Sequence, residues 1–181
     1  MTTSNKLDFP QRKSIRLKGY DYTREGSYYV TLCTQDKKCI FGKVVEGQME
    51  LNDLGKIVAG SWKWLARRYS YVELDEWIVM PNHFHGILVI VGTGDLRTVP
   101  TDSNPVQKSG KIKPLGRLIG AFKTVSSTRI SQLSSLSASE VWQRDFYDHI
   151  IRDRADLLRI RQYIRENPMC WTDDPYNPLP G

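Results

Sequence analysis

The 181-residue sequence is poor in cysteine: it has Cys33, Cys39 and Cys170, and no CxxC pair. An odd count without that spacing argues against a disulfide framework and against a zinc ribbon. No apolar run approaches the ~20 residues that a membrane-crossing helix needs. Residues 1–6 are polar, with no apolar signal core, so the expectation is a cytoplasmic protein without a membrane partner. Histidine is also scarce, with three in the chain. Acidic residues are missing altogether between Asp102 and Glu140. That interval carries Lys108, Lys111, Lys113, Arg117, Lys123 and Arg129, and these six cations equal the formal net charge of +6. A basic stretch without acidic relief favours a polyanionic partner, because neutralising phosphates releases counterions. A merely solvated basic face has the same composition.

What is present suffices for one domain over 1–181. The length allows a sizeable core, and 40% hydrophobic with 25% charged residues is ordinary for a globular chain. Two of the three histidines stand in Met80-Pro81-Asn82-His83-Phe84-His85-Gly86. Apolar and β-branched runs flank this stretch, with a Pro-Asn turn signal between them, so a hairpin of two central strands is expected over 72–91. Side chains alternate along a strand, so His83 and His85 share a face and Phe84 points into the opposite layer. Two imidazoles side by side can grip one metal ion. A packed pair without a ligand fits the same spacing.

The remaining elements follow from local signals. Residues 1–18 read as a flexible basic arm. Residues 28–33 are β-branched and aromatic, a strand. Runs at 40–45 and 48–51 flank Glu46-Gly47, a tight hairpin turn. Asn52 offers an N-cap, and Leu54, Val58, Trp62 and Leu65 make one helical stripe ending near Arg67-Arg68. Residues 92–112 carry Gly and Pro among polar residues and form a long loop. Pro114 suits the first turn of a helix whose apolar face is Leu115, Leu118, Phe122 and Val125. A Ser-rich connector at 131–139 leads to a last strand region at 141–152. Asp153 caps a closing helix with the stripe Leu157, Ile160 and Ile164, which ends at Asn167-Pro168. The proline-bearing tail, 169–181, is expected to be extended. Strands in hairpins interleaved with helices imply an α+β fold, an antiparallel sheet with helices packed on one face.

On the closing helix Tyr163 and Asn167 are four residues apart. They stack one turn above the other, within roughly 40° of each other, on the flank of the apolar stripe. A tyrosine there is most often a packing residue.

The His83-Phe84-His85 triplet after Met-Pro-Asn resembles the HUH motif, in which two histidines flank a bulky hydrophobic residue. Residues 142–152, followed by Tyr163-Ile-Arg-Glu-Asn-Pro168, look like the C-terminal signature of the single-tyrosine HUH transposases. Among these the chain is most similar to the REP-associated tyrosine transposases, and the resemblance runs from residue 28 to 168. It implies a ferredoxin-like antiparallel sheet. It implies that His83, His85 and Asn167 hold a divalent cation, Mg2+ or Mn2+, and that Tyr163 is the nucleophile. Some relatives place glutamine where Asn167 stands. The implied activity is cleavage and rejoining of single-stranded DNA bearing hairpin repeats (REP-like), through a 5′-phosphotyrosine. The loop at 92–112 is longer than a minimal family member needs.

Lys111, Lys113, Arg117 and Lys123 are the candidate grip on a hairpin backbone. Two other classes fit the composition. A non-catalytic single-strand binder needs only a sheet with aromatics and basic loops. A metal-dependent nuclease would use water and leave Tyr163 structural. His149, the third histidine, is expected to be structural. A homodimer and a monomer are both compatible with the sequence.

Overall fold

β1 (Gly26–Cys33) lies inside a four-stranded antiparallel sheet of order β4-β5-β1-β6, with β4 (Val72–Val79), β5 (His83–Ile90) and β6 (Tyr147–Ile151). The computed structural model describes Leu17, residues 19–92 and residues 111–178. The arm expected over 1–18 lies outside the described residues apart from Leu17, and so does most of the loop expected over 92–112. A helix fills each crossover: α1 (Asp53–Arg68) between β1 and β4, and α2 (Leu115–Leu133) between β5 and β6. This is the ferredoxin-like βαββαβ order, and the expected fold class is borne out.

The local signals acted as read. The small hairpin β2 (Gly42–Val45) and β3 (Gln48–Leu51) turns at Glu46 and Gly47, both at positive φ (50° and 72°). The Asn52 side chain accepts from Gly55 N at 3.0 Å and caps α1. Asp153 does the same for α3 (Arg154–Glu166), accepting from Asp156 N at 2.8 Å.

Alternation along the strands divides the core in two. Tyr28, Val30 and Leu32 of β1 and Phe84, Leu88 and Ile90 of β5 face α1 and α2, where they meet Val58, Trp62, Leu65, Leu118 and Phe122. Burying each such side chain is worth about 1.5–3 kcal/mol. The second cluster lies on the other face: Tyr29 and Ile87 against Ile160 and Ile164 of α3. Helices on one face therefore describes α1 and α2, while α3 covers the reverse. The reason is in the strands, whose reverse face is apolar enough to need a cover of its own. Salt bridges from Arg161 to Asp75 and from Arg165 to Glu76 also fasten α3 to β4.

Two segments differ from expectation. The last strand is shorter than 141–152. The carbonyls of Gln143, Arg144 and Asp145 all turn onto the Lys123 ammonium (2.7, 3.1 and 3.0 Å), and carbonyls so aimed do not pair in a ladder. The tail is not simply extended. It makes a 3-10 turn at Trp171–Asp173 and returns to the start of β5. No helix among the described residues is long and apolar enough to cross a membrane.

Candidate active site

The first residues of β5 carry the histidine pair. His83 and His85 are 0% and 1% exposed, and their ring centroids are 4.6 Å apart. Burial pushes both imidazoles down: His83 to about 3, and His85 well below the usual range with a further push from His83. Both are neutral near pH 7, so each ring has one N–H and one bare nitrogen.

Hydrogen bonds decide which nitrogen of His83 is bare. The Asn82 amide nitrogen donates to two carbonyls, Lys37 O at 2.9 Å and Tyr176 O at 2.6 Å. Only the NH2 end can do so, and Asn82 Oδ1 is thereby turned to His83 Nδ1 at 2.9 Å. An amide oxygen only accepts, so Nδ1 carries the proton and Nε2 presents its lone pair. That lone pair faces Asn167 Oδ1 at 3.3 Å. His85 Nδ1 lies 2.8 Å from the Tyr29 hydroxyl and 2.9 Å from Thr31 Oγ1, while its Nε2 is buried without a hydrogen-bond partner. Buried polar atoms are rarely left so.

α3 brings the second half of the site. Its seat on Tyr29 and Ile87 places the Tyr163 ring 5.3 Å from that of His85 and 6.5 Å from that of Tyr29. Tyr163 is partly buried, and desolvation, followed by the Asp174 charge, pushes its phenol up to about 12. Asn167, 2% exposed, bridges His83 and Tyr163. His83, His85, Tyr163 and Asn167, chosen from sequence, thus meet at one end of the sheet.

This donor set fits a divalent cation. Two neutral imidazoles and an amide oxygen suit manganese, and magnesium where water fills the remaining positions. The unprotonated Nε2 of His83, facing an amide oxygen, calls for an electrophile, and the Nε2 of His85 beside it has no hydrogen-bond partner. Among the described residues no three His, Cys, Asp or Glu side chains gather tightly enough to hold a metal, so the amide of Asn167 is needed.

The four candidate cations belong to another region. They lie on or just before α2, across the sheet from α3. Lys111, Lys113 and Arg117 are exposed. The Lys113 ammonium sits 5.2 Å from the centre of the Tyr69 ring. Lys123 is bound to its three loop carbonyls, and burial lowers its ammonium to about 8. His149 pairs with Asp156 at 2.7 Å.

Sequence reasoning missed the tail. The Tyr176 ring lies 4.8 Å from His83 and the Trp171 ring 6.0 Å from it. Asp174 Oδ2 stands 3.9 Å from His83 Nε2. The signal that could have found them is an aspartate with two aromatics within ten residues of Asn167, too far along the chain for any helical spacing to connect. Asn82 was quoted as part of the motif, and its place beside His83 could have flagged it.

No protein-family model matches the chain. An uncharacterized protein of Haemophilus influenzae is 36% identical over 178 residues, covering 96% of this chain and 97% of its own length. The chain belongs to the same family as that protein. A second Haemophilus influenzae protein, provisionally named a REP-associated tyrosine transposase, is 22% identical over 149 residues, 82% of this chain and 73% of its own. The solved structure of a REP-associated tyrosine transposase bound to a REP hairpin is similar with a TM-score of 0.55 at 17% identity, over 88% of this chain and 79% of that one. The fold is that of the REP-associated tyrosine transposases. The resemblance read from the histidine triplet and the closing helix is borne out at that level.

Proposed function

We propose that the chain is a DNA transposase of the single-tyrosine HUH type, a metal-dependent endonuclease and strand transferase acting on single-stranded DNA that carries hairpin repeats. One observation carries this: Tyr163 and Asn167, one helical turn apart, meet two buried neutral histidines whose Nε2 atoms have no proton-bearing partner fixed on them. That the structural relative is bound to a REP hairpin supports hairpin DNA as the partner.

His83, His85 and Asn167 would hold the divalent cation. When bound, it neutralises phosphate charge and orients the scissile bond. The Tyr163 phenolic oxygen attacks the phosphorus, and the bond from phosphorus to the 3′-oxygen breaks. Tyrosine keeps the 5′-phosphate as a diester. The proton lost by the phenol is balanced by the proton gained by the departing 3′-oxygen. Because a diester is exchanged for a diester, rejoining to a 3′-hydroxyl needs no ATP. The phenol at about 12 is too weak an acid to ionise unaided at pH 7, so substrate and site must help remove its proton. The exposed Lys111, Lys113 and Arg117 would hold the hairpin backbone by phosphate contacts that position without reading sequence.

The second reading is a non-catalytic binder, and the aromatic tail packed over His83 favours it. A denaturing gel separates the two. The protein is mixed with manganese and a labelled single strand carrying a hairpin from a flanking repeat, with Tyr163→Phe alongside. The transposase reading gives a metal-dependent slow band absent from the variant. Tight binding with no adduct, on two different repeats, points to the binder. Cleavage that survives Tyr163→Phe points to a water-using nuclease.

A further inference from the structure

Apart from the histidine site, α2 and residues 138–144 enclose an open cleft of about 370 Å³. Thr124, Ser127 and Thr128 line it from the helix, and Ser139, Gln143 and Arg144 from the opposite wall. Among the described residues no carboxylate lines it. Glu140, next to Ser139, turns its carboxylate onto Ser137 N and Oγ at 2.8 and 2.6 Å. The Lys123 ammonium holds the opposite wall in place through the carbonyls of Gln143, Arg144 and Asp145. Arg144 is exposed, and among the described residues no carboxylate pairs with its guanidinium.

Ser127 singles this cleft out. It is 6% exposed. The hydroxyls of Thr124, Ser126 and Ser131 turn back onto carbonyls of α2, and Ser126 also accepts from Trp142 Nε1 at 3.0 Å. Among the described residues the Ser127 hydroxyl makes no hydrogen bond, and it lines the cleft. A polar side chain so far out of water normally has a partner. The partner that suits a hydroxyl donor beside a guanidinium, with no carboxylate in the lining, is an oxyanion. Phosphate matches the guanidinium fork.

The cleft also lies at the end of a track. The exposed residues Lys113, Arg117, Gly120, Thr124 and Thr128 follow one side of α2 and its approach. From Arg117 to Thr128 the helix rises about 16 Å. At the start of the track, Lys113 N donates to the Tyr71 hydroxyl, beside the first residue of β4. At its finish, Gln143 N donates to Cys33 O at 3.0 Å, and Cys33 is the register partner of His83. The track thus leads from the exposed cations to the end of the sheet that carries the histidines.

We propose that this cleft is a phosphate site for a nucleic-acid strand, in which Ser127 and Arg144 donate to oxygens of one phosphodiester and continue the track begun by Lys113 and Arg117. This rests on the DNA reading above and deepens it. Such contacts place the strand without reading its bases.

The test is fluorescence anisotropy of a fluorescein-labelled DNA single strand with a central hairpin, titrated with the full-length protein at several salt concentrations and without metal. Wild type is compared with Arg144→Ala, Ser127→Ala and the double variant Lys113→Ala with Arg117→Ala. In parallel, the Trp142 indole N–H, on the lining of the same cleft, is followed by NMR as unlabelled strand or inorganic phosphate is added. Arg144→Ala should weaken binding by about tenfold and lower the log–log salt slope by about 0.7–0.9, the share of one phosphate. Ser127→Ala removes a neutral donor, so affinity should fall by about fivefold with the slope kept. Its melting temperature should not fall, since the hydroxyl has no partner in the fold. Trp142 should shift with the strand. Affinity and slope unchanged in both single variants, with the slope lowered in the double variant, would overturn the cleft and leave the hairpin partner standing. A Trp142 signal that moves with inorganic phosphate and not with the strand would make the cleft a small-anion site and overturn the proposal too. Failure of wild type to bind two different hairpin strands would overturn the DNA reading itself, and the cleft with it.

Discussion

The two faces of one strand obey different rules. Phe84 enters the face under α1 and α2, where it meets Trp62 at 4.7 Å and Phe122 at 5.4 Å between ring centres. His83 and His85, its immediate neighbours, enter the face under α3, among hydroxyls, amides and a carboxylate. The first face is packed mainly by rings and aliphatic chains. The second is equally buried, yet its groups are held by partners that fix a proton or a lone pair. Burial alone does not tell a core from a site. What separates them is that the second face gathers imidazoles, amides, hydroxyls and a carboxylate around one another.

Substitutions on either side of the strand should separate the faces. Phe84→Ala should cost about 3–5 kcal/mol of stability, because the void left among the rings of Trp62, Trp77 and Phe122 cannot collapse. Tyr163→Phe should remove the covalent adduct yet shift stability by less than about 1 kcal/mol. Urea unfolding of both variants measures this, and equal losses would erase the distinction between the faces.

The histidine face should also show itself in acid. In metal-free protein His83 and His85 stay neutral when folded and take up protons near 6.5 when unfolded. As pH falls through 6.5 the unfolded chain binds protons first, so stability drops until about 3, where folded His83 is itself protonated. Each histidine contributes up to about 1.4 kcal/mol per pH unit. Asp174, raised above 3.8 by burial, acts in the opposite sense and offsets part of the loss. Unfolding midpoints between pH 7 and 4 with a chelator present would show the decline, and a flat profile would contradict a neutral buried pair.

A smaller effect is expected at Asn82. Asn82→Ala removes the group that puts the proton on His83 Nδ1, and loss of such a partner typically costs 10–100-fold in metal affinity. Manganese titration gives the number, and imidazole nitrogen chemical shifts report the tautomer. Unchanged values in both would confine Asn82 to the turn it occupies. The smallest effect concerns α2. Lys113→Ala with Arg117→Ala should reduce the salt dependence of DNA binding by about 1.5 in log–log slope, and an unaltered slope would move the DNA surface elsewhere.

Much of this was legible in the sequence because it is local. The Glu46-Gly47 turn, the Asn52 and Asp153 caps and the period-two histidines each follow from a few adjacent residues. Helical spacing put Tyr163 and Asn167 on one flank of the closing helix, and the resemblance to the family gave that flank its role. The face that α3 would cover was not, since its stripe of Leu157, Ile160 and Ile164 fits either side of a sheet. Nor were the contacts of the tail. Asn82 and Tyr176 are 94 residues apart, and no periodicity spans that distance. Lys123 shows the same limit from the other side. Its charge was read as available, but the fold surrounds it with carbonyls.

Gly86, directly after His85, pairs with Val30 of β1. A methyl group there would meet the Phe84 ring at 2.7 Å and the Trp62 ring at 2.9 Å. Sliding β5 along β1 by two residues would preserve the alternation of faces, so polarity alone does not forbid it. It would, however, bring the side chain of Phe84 or Leu88 into the slot beside Trp62. The missing side chain therefore works as a key that admits one alignment of the strand and refuses its near-equivalents. With that alignment fixed, the depth of both imidazoles against α3 is fixed as well.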